Sequence, residues 1–193
     1  MKTIKNSIKS ELTIKKSKFI TFLFPISSKD DVSTYLDKVK SEYKGATHYC
    51  YAYKLKGEEK CSDDGEPSKT AGFPILNVLK NNQFDSVLVI VIRYFGGVKL
   101  GASGLIHAYQ DSTLEAIKKA DIINVTEGYL IQICFPYDQK KNIDYLLKDF
   151  YINDKNYDKE VMYQVEIEKG KLEDLKKSLP NLNIIKEIYT EKK

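Results

Sequence analysis

The hydrophobic pattern singles out one stretch, Phe84–Lys119, as a strand, a glycine-rich loop and a helix. Ser86–Ile92 (SVLVIVI) is mostly apolar and β-branched, which predicts a strand buried on both faces. Arg93–Gly104 (RYFGGVKLGASG) follows with four glycines, and apolar residues then recur at helical spacing over Leu105–Lys119. Because backbone N–H groups and a helix N-terminus carry partial positive charge, this geometry can hold an anion.

The chain before this stretch alternates strands and helices. We predict, in order, a strand or hairpin over Glu11–Ile26 that stops at Pro25, a helix capped by Ser27 or Ser28 that runs to about Tyr43, a strand over Ala46–Leu55, a loop over Cys61–Pro74, and a short helix from Pro74 to about Asn81. The loop is long enough to suggest a functional role.

The pattern changes after residue 126. A closing strand and a joint over Asp121–Gly128 lead to a second series in the order β-α-β-β-α-β: Tyr129–Phe135, Asp138–Phe150, Tyr151–Asp158, Glu160–Glu168, Lys171–Leu179 and Leu182–Tyr189. This order is typical of ferredoxin-like domains. The sequence therefore predicts an α+β protein with an N-terminal domain over residues 1–126 and a ferredoxin-like C-terminal domain over residues 127–193.

Composition and charge restrict the function classes only modestly. The 193 residues contain 42% hydrophobic and 30% charged residues, and no apolar run is long enough to span a bilayer. Since no signal-peptide core is visible at the N-terminus, we expect a cytoplasmic protein with no membrane partner. The net charge of +4 arises near the N-terminus, where the first 18 residues hold six Lys and one Glu. This excess alone does not define a nucleic-acid binder, and no DNA sequence-reading motif is present.

Two residue types are informative because they are rare. The three cysteines, Cys50, Cys61 and Cys134, have no CxxC spacing, which argues against a zinc site and a disulfide framework. Arg93 is the single arginine among 31 basic residues. A planar, forked donor just after a buried strand indicates either a ligand contact or a structural pair with a carboxylate, and both alternatives stay open.

Two motifs then identify a family. Ser62–Gly72 (SDDGEPSKTAG) and Arg93–Gly101 (RYFGGVKLG), together with Ala108 and Tyr109, resemble the signature of the Impact family in its bacterial YigZ-like branch. The resemblance covers roughly residues 15–120. It implies a first domain similar to the second domain of ribosomal protein S five, and a C-terminal domain similar to the fifth domain of elongation factor G. It also implies a link to translational control.

The chain departs from the family pattern at three positions. Lys69 and Ser103 stand where the family usually has Gly, and His107 stands where Arg is common. Lys69 can add a phosphate contact, and Ser103 is a good residue for a helix N-cap. The resemblance also implies that eukaryotic members compete with a starvation-activated kinase for its activator. The extra N-terminal domain of those members has no counterpart here, so we do not expect that role of this chain.

The glycine-rich loop is the leading candidate site. We expect it to bind an anion or a nucleic-acid phosphate through the following residues: Lys69, Arg93, Gly96, Gly97, Lys99, Gly101, Ser103 and Gly104. The alternative is a tight connection whose glycines serve only the backbone. Neither a Walker loop nor a GxGxxG motif is matched.

Asp63, Asp64 and Glu66 form a possible acidic cluster with three interpretations. The carboxylates can hold a hard cation, can bond to the backbone of their own turn, or can pair with Arg93 and join the two motifs. We favour the turn and predict no metal and no cofactor.

Two further groups have structural interpretations that we favour. His48 and Cys50 share a strand face, but nothing in the sequence supplies an orienting group or an oxyanion hole, so no catalytic residue is assigned. Tyr49, Tyr51 and Tyr53 lie on one face of a strand, as core residues or as a stacking platform for bases.

The sequence thus predicts a cytosolic regulator of translation that binds RNA or a ribosome-associated partner through the glycine-rich loop. An enzyme acting on a small phosphate-bearing substrate in the same loop is the first alternative, with Asp63, Asp64 or Glu66 as base or metal ligand. A regulator that binds only proteins is the second.

Overall fold

The computed structural model describes residues 1–179 and 181–192. The chain divides into two compact units, Met1–Ile123 and Asn124–Lys193. Each unit combines helices with an antiparallel sheet, which confirms the α+β class. The resemblances to a ribosomal-protein domain and an elongation-factor domain remain predictions. Within the described ranges, no helix is both long enough and apolar enough to cross a membrane.

The first unit is built on a five-stranded sheet with helices on both faces. Its elements are β1 (Lys2–Ile4), β2 (Ile8–Ile14), β3 (Ser17–Pro25), α1 (Lys29–Glu42), β4 (His48–Leu55), β5 (Glu58–Ser62), α2 (Gly72–Asn81), β6 (Val87–Tyr94) and α3 (Gly101–Lys118). The sheet order is β2-β3-β6-β4-β5, and every neighbouring pair is antiparallel.

The central strand β6 is buried on both faces, as its apolar run predicts. Val87, Val89 and Val91 pack in one cluster with side chains of α2 and α3. The alternate residues Leu88, Ile90 and Ile92 pack in a second cluster with side chains of α1. Since successive side chains of a strand point to opposite faces, Arg93 continues the row that faces α2 and α3.

The predicted hairpin and first helix are confirmed. β2 and β3 pair from Ile14 and Ser17 outward, and β3 ends at Pro25. Ser28 caps α1 in a reciprocal capping box. Its hydroxyl accepts the Asp31 N–H at 3.3 Å, and the Asp31 carboxylate accepts the Ser28 N–H at 2.9 Å.

Three predicted boundaries were wrong. The charged segment Glu58–Ser62 is the edge strand β5, because its backbone pairs with β4 from Tyr51 to Leu55. The loop between β5 and α2 is therefore shorter than predicted. Helix α2 begins at Gly72, two residues before Pro74. Helix α3 begins at Gly101, four residues before Leu105, so it includes the last third of the predicted glycine loop.

The second unit has the predicted element order. It comprises β7 (Ile122–Phe135), α4 (Lys140–Leu146), β8 (Tyr151–Tyr157), β9 (Val161–Glu168), α5 (Leu172–Ser178) and β10 (Asn183–Glu191). The strands lie in the order β10-β7-β9-β8. The two units divide after Ile123, inside the predicted joint Asp121–Gly128, but the backbone there is the continuous strand β7, with which β10 pairs as far as Val125.

Candidate functional site

The end of β6 places Arg93 between two neighbouring strands. Its Cα pairs with Phe19 of β3 on one side and with His48 of β4 on the other. The guanidinium lies beneath the sheet end on the face that carries α2 and α3, and Arg93 is only 5% exposed. A buried guanidinium requires partners of opposite charge or hydrogen-bond acceptors.

Glu66 supplies that partner from the loop between β5 and α2. Arg93 Nη1 donates to Glu66 Oε1 at 2.6 Å, and the two side chains are 6% and 3% exposed. The Tyr109 hydroxyl of α3 donates to the same oxygen at 2.9 Å. Arg93 Nη2 also lies 3.4 Å from Ser17 Oγ. This buried pair joins the two motifs that carry the family resemblance.

Two aromatic rings complete the surroundings of Arg93. The guanidinium carbon lies 5.7 Å from the centroid of the Phe19 ring and 5.5 Å from that of Phe95, distances at which a cation and a ring attract. Arg93 Nε has no hydrogen-bond partner within the described part of the chain. Arg93 therefore anchors the start of the glycine loop and does not reach its surface.

The other two acids of the cluster hold the backbone. Asp63 accepts N–H bonds from Lys69, Ala71 and Gly72, so its carboxylate ties the loop to the first turn of α2. Asp64 accepts the Tyr49 N–H at 2.7 Å. Asp63 therefore bonds to the backbone of its own loop, as one of the three interpretations had it, whereas Glu66 pairs with Arg93, as another had it.

The acids are not arranged around a common point. No group of three or more His, Cys, Asp or Glu side chains in residues 1–179 and 181–192 is placed to hold a metal ion. With Asp63 and Asp64 bonded to backbone N–H groups and Glu66 paired with Arg93, none of the three is presented as a general base.

Cys50 and His48 lie beside this cluster as structural residues. Cys50 Sγ is 3.0 Å from the Asp63 carbonyl oxygen and 3.3 Å from the Tyr109 hydroxyl. Burial raises the pKa of the Cys50 thiol well above its ordinary value, which disfavours a reactive thiolate. Burial likewise raises the pKa of Tyr109. His48 Nδ1 donates to the Asp64 carbonyl at 2.8 Å, and Nε2 lies 3.8 Å from Glu66 Oε2.

The three tyrosines of β4 belong to the core on the opposite face. Tyr53 is buried in the cluster formed with α1, and Tyr49 and Tyr51 pack against that cluster. The core interpretation is therefore the one that the structure favours.

The glycines of the loop serve different purposes. A Cβ on Gly96 would lie 2.0 Å from the carbonyl carbon and oxygen of Lys16, so only glycine fits against the β2–β3 turn. Gly97 and Gly101 have φ of +82° and +73°, and a Cβ on either would meet nothing within 4 Å in the described chain. The backbone at these two positions is thus open to an approaching ligand.

Helix α3 starts inside the loop, which changes the expected role of Ser103. Leu100 is the N-cap residue, and no side chain of the described residues caps the first turn. Ser103 lies in that first turn and is exposed, and Gly104 follows it at intermediate exposure. The prediction that Ser103 is the N-cap was wrong, because α3 already begins at Gly101 and Ser103 is its third residue.

Lys69 and Lys99 are both exposed, from the two loops that the Glu66–Arg93 pair connects. Lys69 has φ of +63°, which accounts physically for the glycine that the family usually has at this position. Ser17, Phe19 and Lys16 were not predicted as site residues, because they come from the β2–β3 hairpin and reach the loop only in the folded chain. The only sequence signal for Lys16 was the KKSK run between two alternating segments.

Comparison with known proteins agrees with the motifs. The Impact N-terminal domain family matches residues 15–117. The IMPACT family member YvyE of Bacillus subtilis (strain 168) is 34% identical over 172 residues, which cover 86% of this chain and 79% of that protein. The IMPACT family member YigZ of Escherichia coli (strain K12) is 29% identical over 177 residues, covering 88% and 87%. A crystal structure described as that of an hypothetical protein has a TM-score of 0.63 and 27% identity, and the match covers 95% of both chains.

The fold and site define an α+β protein whose glycine loop is fixed to the sheet by a buried ion pair. The chain belongs to the Impact family. Its similarity to YvyE and YigZ over most of its length confirms the predicted place in the bacterial branch.

Proposed function

We propose that this protein regulates translation by binding RNA, free or within the ribosome, through a basic surface around the glycine loop. This basic loop surface consists of the exposed side chains of Lys15, Lys16, Lys69 and Lys99 and the open backbone at Gly97 and Gly101. Its chemistry suits phosphate groups, which accept hydrogen bonds from both ammonium groups and backbone N–H groups.

The single observation that carries the proposal is the close approach of Gly96 to Lys16. It brings the turn that holds Lys15 and Lys16 against the loop that holds Lys99. Three exposed lysines thereby lie in one region of the first unit, although Lys99 follows Lys15 and Lys16 by more than 80 residues in the sequence. Neither Lys15, Lys16 nor Lys99 forms an ion pair with any described residue, so all three are available to an anionic partner.

The first turn of α3 adds to this surface. The helix has 18 residues, and its N-terminal N–H groups are uncapped by described side chains. Ser103 offers a hydroxyl donor within the same turn, and Gly104 has no side chain that would cover the backbone there. Partial positive charge at this end complements phosphate oxygens.

Arg93 has an indirect role in the proposal. Its guanidinium is paired with Glu66 in the interior, so it positions Phe95, Gly96 and the residues after them. We therefore replace the expected contact between Arg93 and phosphate with a positioning role. The link to translation rests on membership of the Impact family and on the translation-factor domains that the sequence resembles.

A salt titration with charge-reversal variants tests the proposal. The double variant Lys16→Glu/Lys99→Glu is compared with Lys38→Glu/Lys44→Glu, which makes the same change of charge at exposed lysines on and after α1. Binding of a labelled single-stranded RNA of about 16 nucleotides is measured by fluorescence anisotropy from about 50 to about 200 mM salt.

We expect wild type and the α1 variant to bind with affinity that falls as salt rises. Since each lost phosphate contact removes about 0.7 from the logarithmic salt slope of a single strand, the loop variant should lose at least about 1.4. Equal binding by both double variants would reject the site. Absence of binding by the wild type at low salt would reject RNA as the partner and leave the protein-binding and enzymatic alternatives.

A further inference from the structure

The glycine loop exposes a large aromatic ring beside its basic groups. Phe95 is 47% exposed, and the nearby Val98 is 39% exposed. A hydrophobic side chain of this size is usually buried, and here it lies directly before Gly96, whose backbone contacts the lysine-bearing β2–β3 turn. The lysines account for phosphate binding but leave the aromatic ring unexplained.

The Phe95 ring is held in place by the residues beneath it. The backbone N–H of Phe95 donates to Thr47 Oγ1 at 3.1 Å. The ring lies over the Arg93 guanidinium, whose other neighbour is the buried ring of Phe19. Glu66 fixes that guanidinium in turn. A ring that is ordered before binding loses little conformational entropy when a ligand stacks on it.

We propose that Phe95 is a stacking platform for an unpaired nucleobase, so that the basic loop surface prefers single-stranded RNA to duplex RNA. The inference rests on the proposed function and adds the ligand class. Every base has a π-face that can stack on an aromatic side chain, whereas the bases of a duplex already stack on each other. The adjacent ammonium and N–H groups then contact the phosphates on either side of the stacked base.

The neighbouring glycines favour this geometry. The backbone at Gly97 carries no side chain beside the ring, and a Cβ there would meet no described atom within 4 Å. A nucleotide can therefore approach Phe95 from the loop side without displacing protein. A protein partner that inserts an apolar side chain over Phe95 would use the ring without distinguishing RNA strandedness, and the experiment separates the two.

The test compares two substitutions of Phe95 with one matched substitution elsewhere. Phe95→Leu keeps an apolar cover on Arg93 but removes the ring, and Phe95→Tyr keeps the ring. Tyr145→Leu removes an aromatic side chain that is 71% exposed in the second unit. Each variant is titrated with a labelled single strand, with the same single strand carrying abasic positions, and with a duplex of equal length.

We expect Phe95→Leu to weaken binding of the single strand by about 5- to 140-fold, the range for loss of one stacked base. Binding of the duplex should be unchanged, and Phe95→Tyr and Tyr145→Leu should bind as the wild type does. Abasic positions should weaken wild-type binding by a similar factor and should not weaken Phe95→Leu further. The comparison of intact and abasic strands on the wild type uses the unaltered protein and so does not depend on how the variants fold.

The outcomes separate this inference from the proposed function. If the wild type binds RNA but Phe95→Leu binds the single strand equally well, or loses single strand and duplex alike, stacking is refuted and phosphate binding stands. If the wild type binds neither RNA at low salt, both proposals fail. A wild-type protein that binds the abasic strand as tightly as the intact strand also refutes stacking.

Discussion

Breaking the buried Glu66–Arg93 pair should destabilise the first unit strongly, whereas replacing both residues should not. In Glu66→Met, the Arg93 guanidinium stays in a site where it is only 5% exposed and has lost its 2.6 Å partner. Removing one member of a buried pair typically lowers the free energy of unfolding by about 3–5 kcal/mol. Since small domains are stable by about 5–15 kcal/mol, this loss is a large fraction of the total.

The double variant Glu66→Met/Arg93→Met removes both charges together. Buried pairs replaced by apolar side chains of similar volume are often neutral, so we expect a loss of at most about 2 kcal/mol. The Tyr109 hydroxyl, which donates to Glu66, is the group left without its acceptor. The losses in Glu66→Met and in Arg93→Met should therefore sum to at least about 4 kcal/mol more than the loss in the double variant.

Pulse labelling of Cys50 in urea measures the stability of the first unit separately. Cys50 is buried next to the pair, and its burial raises the thiol pKa, so it should react only when this unit unfolds. The measurement uses a background of Cys61→Ser and Cys134→Ser. Single variants that lose less than about 1 kcal/mol, or losses that add in the double variant, would refute the anchoring role of the pair.

Three further predictions follow from the backbone. Gly96→Ala should lower the free energy of unfolding by about 3 kcal/mol in a urea titration, because its Cβ would overlap the backbone of the adjacent turn. Gly104→Ala in α3, whose Cβ would meet only the Leu100 Cβ at 3.3 Å, should change it by less than about 1 kcal/mol. Lys69→Gly should raise the thermal midpoint through relief of about 1 kcal/mol of left-handed strain; a lower midpoint would contradict this. The backbone N–H of Ser27 holds the pKa of Asp31 below its ordinary value, so this stabilisation is present above about pH 4 and is lost as pH falls through the folded pKa. Asp31→Ala should thus lose about 1 kcal/mol at pH 7 and less at acidic pH, where the wild-type carboxyl becomes protonated, and a pH-independent loss would contradict the cap.

Short-range sequence patterns correctly predicted the elements that depend on neighbouring residues alone. The apolar run of β6 is buried on both faces, and Ser28 and Asp31 form the capping box of α1. In contrast, Glu58–Ser62 contains three charged residues and carries no strand signal. It becomes β5 because its backbone completes the hydrogen bonds of β4, a long-range condition that propensity does not contain.

The sequence indicated which residues belong to the site but not which of them contact each other. The single arginine and the acidic loop were both evident from the sequence, yet whether Arg93 contacts a ligand or Glu66 depends on the register of β6 against β3 and β4. That register turns Arg93 inward. The approach of Lys16 to Gly96 is also a tertiary contact, so the lysines of the hairpin turn could not be assigned to the site beforehand.

Photochemical cross-linking identifies the residues that RNA contacts and so shows whether RNA lies on the glycine loop. A single-stranded RNA containing 5-iodouracil is irradiated with the protein, and the linked tryptic peptides are identified by mass spectrometry. Trypsin cleaves after Arg93 and Lys99, so we expect the main linked peptide to be Tyr94–Lys99, with the link at Phe95. Links confined to residues 124–193, or no link above that of an unrelated control protein, would contradict it.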